Sequence, residues 1–180
     1  MLIAHLPSGY ILSSYLLERV RALPVKASWV IAAGMLGAVA PDFDMLYFLF
    51  VDHGQTHHHR YMTHWPSLWL GLIAFALGWR WLGRQSAAAW LLLIFSLGGM
   101  LHVLLDTLAG DIWWFAPLVD QRYALVKVTA RYQPWWLNFV IHWVFLVELT
   151  ICAWAFWRWR LRHSWGMIRG AQCGNTHAQD

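Results

Sequence analysis

The sequence predicts an all-α integral membrane bundle of about four to five transmembrane or membrane-embedded helices. Of its 180 residues, 59% are hydrophobic, 15 are Trp and only 12% are charged, against roughly 25% charged in an average soluble domain. Several stretches approach the about 20 apolar residues that a helix needs to cross roughly 30 Å of hydrocarbon. The basic residues, in addition, gather at alternate ends of these stretches.

Leu6 to Leu23 comes first and carries Glu18, Arg19 and Arg21 toward its end. No positive n-region precedes it and no small-residue cleavage site closes it, so it is expected to stay as a helix. Val25 to Ala40 is apolar but short, whereas Trp65 to Leu82, Ala87 to Ala109 and Trp135 to Trp157 meet the length requirement well. The Trp113–Trp114 and Trp135–Trp136 pairs fit the interfacial belt in which amphipathic rings settle. Residues 170–180 form a polar tail expected to be disordered. Residues 1–169, without internal repeat, linker or low-complexity block, read as one domain. Cys152 lies in an apolar window and Cys173 in the tail, so the two are not expected to pair.

Charge sets an orientation. With the C-terminus cytoplasmic, nine of the 13 basic residues (Arg19, Arg21, Lys26, Arg80, Arg84, Arg158, Arg160, Arg162 and Arg169) fall inside. Arg60, Arg122, Lys127 and Arg131 fall outside, and no other registration of five spans separates them as well. The reading is a multi-pass protein of the inner (cytoplasmic) membrane with lipids as its surroundings. A net charge of +4 distributed in this way does not point to nucleic acid. Oligomeric state is not legible in the sequence.

The same topology brings His5, Asp42, Asp44, the histidine-rich segment, Asp106 and Asp111 to the outer, periplasmic face, from four separate parts of the chain. Bundle sites are built in this way, from facing helices. In "HVLLD", His102 and Asp106 are four apart and project from one helical face. Ionisable groups inside a span are costly and mark function; a simple His–Asp hydrogen bond is the plainer alternative. In "APDFD", Pro41 suits a helix start and the acids suit the positive end of its dipole. If that segment is helical, Asp42 and Asp44 point nearly opposite ways and only one can face a metal; an extended segment would admit both.

"HHHRYMTHW", residues 57–65, holds four histidines and an arginine. His59 and His64 are candidate ligands, while His57 and His58 equally extend a polar loop. Arg60 suits an anionic substrate, because a guanidinium fork matches phosphate or carboxylate, or else it is a solvated loop arginine. Thr63 is placed to support a ligand's second nitrogen or carboxylate. His142 and Glu148, six apart within the last apolar window, point to different faces.

These motifs resemble the YdjM-like family of membrane-bound metal-dependent hydrolases. The family pattern is an N-terminal His with a Gly soon after, then "PDxD", "HRxxTHS", and "HxxxD" leading through a Gly to a Pro turn. Here stand His5 with Gly9, "PDFD" at 41–44, "HRYMTHW" at 59–65, "HVLLD" at 102–106, and Gly110 before "WWFAPL". The likeness covers about residues 1–125, and Trp65 replaces the usual Ser. The resemblance implies a metal set of His5, Asp42, His59, His64, His102 and Asp106, and a hydrolase, through a ligand pattern like that of zinc-dependent phospholipase C.

Imidazole and carboxylate together suit a divalent metal, zinc above all, whose bound water is acidified toward neutrality. Asp44 or Asp111 would accept the proton and Arg60 would hold an anionic substrate. The expected reaction is cleavage of an ester or phosphoester, on a lipid-like or amphiphilic anion, at the outer interface. The rival is a non-enzymatic protein that binds or transports a metal ion, which should carry ionisable groups at several depths along one path.

Overall fold

The computed structural model describes residues 1, 3–20, 23–82, 86–134 and 136–175, with side chains described as far as residue 162. Among the described residues seven α-helices follow one another: α1 (His5–Arg19), α2 (Ala27–Val39), α3 (Asp44–Phe50), α4 (Pro66–Leu82), α5 (Ala87–Ala109), α6 (Leu137–Ile141) and α7 (Val144–Asn175). Among the described residues the only β pairing is an isolated bridge between Ile112 and Tyr123.

α5 is central, packing on α2, α4 and α1, while α1 also packs on α2 and α7. Small residues permit the closest approach. A Cβ on Gly98 of α5 would lie 2.6 Å from the Gly34 carbonyl oxygen of α2, and one on Gly34 would lie 1.9 Å from Ser13 Oγ of α1. Backbones pack directly here, as they do between helices that gain nothing from expelling lipid. On either side of this contact along α5, Trp69, Val103 and Ile112 form one buried cluster and Ala76, Trp90 and Leu93 another.

The contacts fix helix directions. Gly9 meets Ala38 while Ser13 meets Gly34, so α1 and α2 are antiparallel. Gly34 meets Gly98 and Ala38 meets His102, which makes α2 and α5 parallel. Trp69 packs on Gly99 and Arg80 sits over Trp90, so α4 runs against α5. Glu148 bonds the Ile3 amide and Arg158 reaches Ser14 and Glu18, making α7 parallel to α1. α1, α4 and α7 therefore point one way, α2 and α5 the other.

Ala87–Asp106 is the described helix long and apolar enough by itself to cross a membrane, with a mean hydropathy of 2.1. α2 and residues 41–50 meet the same measure together, bent by 54°. Pro41, which lacks an N–H, opens a 3-10 turn over Pro41–Phe43 at that bend. α4 has 17 residues, about 26 Å at 1.5 Å per residue. Large apolar side chains nevertheless face outward all around the molecule, among them Phe50 at 73% and Trp81 at 86% exposure. Such a surface suits hydrocarbon better than water.

Two expectations need correction. Trp135–Trp157 is not one helix: α6 ends at His142, which turns extended, and the His142 ring nitrogen lies 3.3 Å from the Val144 amide at the start of α7. His142 thus belongs to the break and shares no helix with Glu148. The Trp113–Trp114 pair is not an interfacial anchor. Trp113 is buried and donates to Asp120 Oδ1 at 2.7 Å, and Trp114 donates to Thr107 Oγ1 at 3.0 Å. Trp136 is half-exposed, whereas Trp135, Arg21 and Arg84 lie outside the described residues. α7 continues into residues 170–175, and 176–180 also lie outside the described residues.

Candidate metal centre

The site forms where α2 bends and α5 nears its end. Asp42 Oδ1, His64 Nε2, His102 Nε2 and Asp106 Oδ2 come from three separate segments, and one donor atom from each lies within 4.8 Å of all the others. His102 Nε2 is 3.0 Å from Asp106 Oδ2, 3.5 Å from Asp42 Oδ1 and 3.3 Å from His64 Nε2. His64 Nε2 is 3.7 Å from Asp42 and 3.8 Å from Asp106. Both imidazoles are fully buried.

The second nitrogen of each imidazole fixes its tautomer. His102 Nδ1 lies 2.8 Å from the Ala38 carbonyl, which only accepts, so the proton sits on Nδ1. His64 Nδ1 lies 2.7 Å from Asp44 Oδ2, with the same consequence. With His64 deprotonated, both rings therefore aim an Nε2 lone pair at the same point, between two carboxylate oxygens. Four converging acceptors without a donor repel one another unless a cation or a proton stands between them. This donor set fits a divalent metal, and its His and Asp composition is that of a zinc site.

The choice between Asp42 and Asp44 is now made by geometry. Asp42 lies in the 3-10 turn and faces the centre, while Asp44 opens α3 behind His64. Thr63 Oγ1 donates to the same Asp44 oxygen at 2.5 Å, so Thr63 supports a carboxylate that in turn orients His64. The segment itself is pinned by indoles: Trp69 donates to the Thr63 carbonyl at 2.7 Å, and Trp65 to the Arg60 carbonyl at 2.9 Å. At position 65 the family's hydroxyl is thus replaced by a structural N–H donor.

His59 and His5 flank the centre through Asp106. His59 Nε2 is 3.4 Å from Asp106 Oδ2, and His5 Nε2 is 3.2 Å from Asp106 Oδ1, with the His5 ring stacked on His102 at 3.7 Å. Both His5 nitrogens and His59 Nδ1 are buried without a hydrogen-bond partner, so each neutral ring has one unprotonated nitrogen to offer a cation. Gly110 allows His59 this position, since a Cβ there would lie 2.6 Å from its Cε1. His58, His59 and His64 form a second group of donors within 4.8 Å of one another. All six residues of the expected metal set are therefore gathered around Asp106, whose Oδ1 also contacts the Met1 amino group.

The other expected site residues stand farther out. Arg60 pairs with Asp120 at 2.7 Å on the surface, and Asp111 pairs with Arg122 at 3.1 Å. Asp111, Arg122 and the run His57 to His59 line a cleft of about 1100 Å³ beside the centre. Arg60 lines a smaller adjoining depression with Asp120 and Arg122. Burial keeps His58 mostly neutral, with a pKa lowered to about 4, and holds His59 well below its ordinary value. His64 is the opposite case. Burial works to lower it, but hydrogen bonds to Asp42 and Asp44 and the charges of Asp44 and Asp106 prevail and raise it to about 9.

Sequence reading missed two supports, the Ala38 carbonyl and Glu148. Buried Glu148 accepts from the Ile3 and Ala4 amides at 2.6 and 3.2 Å and so anchors the segment that presents His5. Its signal was present, an acid inside an apolar window. A backbone carbonyl leaves no such trace. Comparison with the curated proteins and with the solved structures gives no match. The family model described as YdjM inner membrane protein matches residues 1–171, well past the motifs. With its motif residues gathered at one centre and almost the whole length matched, the chain belongs to the YdjM inner membrane protein family.

Proposed function

We propose that this protein is a membrane-bound, metal-dependent hydrolase that cleaves an ester or phosphoester at the membrane–water interface. The observation that carries the reading is the convergence of two Nε2 lone pairs and two carboxylates within 4.8 Å, beside a cleft wide enough for a substrate. Asp42, His64, His102 and Asp106 would hold the ion, zinc by its donor chemistry, with His5 and His59 at its edge. A zinc ion in such a site acidifies a water toward neutrality and polarises an ester or phosphoryl oxygen.

The chain's own groups supply the rest. Asp44 fixes the His64 tautomer, and its second oxygen, buried without a hydrogen-bond partner behind His64, would accept a proton. Asp111, paired with Arg122 at the cleft wall, is the alternative acceptor. Arg60 would draw anions toward the mouth.

The proposed topology has α1, bent α2–α3, α4, α5 and α7 as five membrane-embedded elements, the centre at the periplasmic face and the C-terminus in the cytoplasm. Alternating helix directions support it, as do Glu18 and Arg158 meeting at the end opposite the centre. The metal-transport rival would need a ladder of ionisable groups at several depths, yet buried Glu148 accepts from backbone amides at the start of α1, next to His5.

The test is a screen of ester and phosphoester substrates with metal-loaded wild type, Arg60→Ala and His102→Ala, each with its zinc content measured. Hydrolysis by wild type that disappears with the metal in His102→Ala supports the enzyme. If loaded wild type cleaves no lipid or soluble substrate, the metal-binding reading replaces it.

A further inference from the structure

The cleft beside the centre mixes two chemistries. Met45, Phe48 and Leu49 of α3 give it an apolar wall, and Val126 and Val128 of the loop before α6 add apolar surface. The same lining holds His58 and His59, whose rings belong to the metal cluster, together with Asp111, Arg122 and Lys127. At about 1100 Å³ it is slightly larger than the roughly 300–1,000 Å³ of ordinary small-molecule sites. Beside Leu49, outward-facing Leu46 and Phe50 extend the apolar surface on the same helix.

The cations are not equivalent. Arg122 is exposed and shares its charge with Asp111. Lys127, also exposed, forms no ion pair among the described residues. With Asp111 offsetting Arg122 and nothing offsetting Lys127, the cleft lining carries net positive charge. A phosphate ester carries about 1.5 to 2 negative charges and three strong acceptor oxygens near neutral pH. That matches two cations better than a carboxylate does, and Arg supplies the fork that a phosphate accepts.

Resting on the hydrolase reading for the role of the neighbouring centre, we propose that the cleft is the substrate site for a single-chain amphiphile with a phosphate headgroup. The phosphate lies between Arg122 and Lys127, and the hydrocarbon lies along Met45, Phe48 and Leu49. Lys127 and Arg122 are then specificity residues, and the α3 wall sets the preference for a chain.

The test uses the full chain in nanodiscs of uncharged-headgroup lipid, titrated with hexadecyl phosphate, hexadecanol or inorganic phosphate, with bound ligand counted by native mass spectrometry. Wild type should retain one hexadecyl phosphate, at least tenfold tighter than either hexadecanol or inorganic phosphate. Arg122→Ala/Lys127→Ala should weaken the phosphate amphiphile about tenfold or more and leave hexadecanol unchanged. Met45→Trp, which fills the apolar wall, should weaken both chained ligands and leave inorganic phosphate unchanged. Zinc content equal to wild type checks that each variant is folded.

Equal binding of hexadecyl phosphate by wild type and the double variant overturns the inference, as does hexadecanol or inorganic phosphate binding as tightly. His102→Ala separates this inference from the hydrolase reading, because it should lose hydrolysis and keep the amphiphile. Binding without hydrolysis in any protein defeats only the enzyme. Hydrolysis of soluble esters by wild type without amphiphile binding defeats only this proposal.

Discussion

His64 joins the candidate centre to its supports, because one ring nitrogen faces the cluster and the other is held by Asp44. With a pKa raised to about 9, His64 is protonated at pH 7 in the metal-free protein, and an incoming cation must displace that proton. Zinc affinity is therefore expected to climb about tenfold per pH unit from pH 7 and to level off near pH 9. His58, near 4, is neutral throughout and adds nothing to this slope. Chelator competition across pH 6.5–9.5 measures it, and a flat profile would contradict the assignment. Asp44→Asn removes a hydrogen bond and a charge that both raise His64. The slope should flatten in that variant, while affinity at pH 9, where proton competition is gone, should fall by the roughly 10–100-fold typical of an outer partner.

The helices carry this geometry through close contacts. Gly98 meets the Gly34 carbonyl and the Ala38 amide, and the carbonyl of that same Ala38 orients His102. Gly98→Ala should therefore force α5 from α2, cost about 1–3 kcal/mol of stability by overpacking, and lower zinc affinity through His102. Gly71, with no atom within 4 Å of a Cβ position, is the control: Gly71→Ala should be neutral or stabilise by up to about 1 kcal/mol. Thermal unfolding in detergent, read beside zinc titration, separates the two, and equal behaviour would contradict the packing account. α5 was legible in the sequence to the residue because an apolar run ends at Ser86, which caps the Ala89 amide, and at Gly110. The break at His142 was not, because it depends on a local ring-to-amide contact that no composition shift marks. Nor was the choice of Asp42, since a 3-10 turn and a first helical turn share the same residues.

Across the whole molecule, the motifs foretold which residues meet, and helix directions explain how. The paired carboxylate and carbonyl behind His64 and His102 were beyond sequence reading, because they arise only when α2, α3 and α5 are assembled. The topology is tested by membrane-impermeant thiol labelling of intact cells, after Cys152 and Cys173 are changed to Ser. A Cys at Gln121, in the exposed loop after α5, should label from outside, and one placed after Arg169 should not. Labelling after Arg169 would invert the orientation.

The most direct measurement of the account is the metal content of the purified full chain after loading with zinc and dialysis, for wild type, His64→Ala, His102→Ala and Arg60→Ala. Wild type and Arg60→Ala should keep at least one zinc per chain, since the exposed Arg60 guanidinium pairs with Asp120 and has no lone pair to donate. His64→Ala and His102→Ala should each lose at least 100-fold in affinity, more than an outer partner costs, with helical circular dichroism unchanged. Zinc retained equally by all four proteins, or by none, would contradict a metal centre at Asp42, His64, His102 and Asp106.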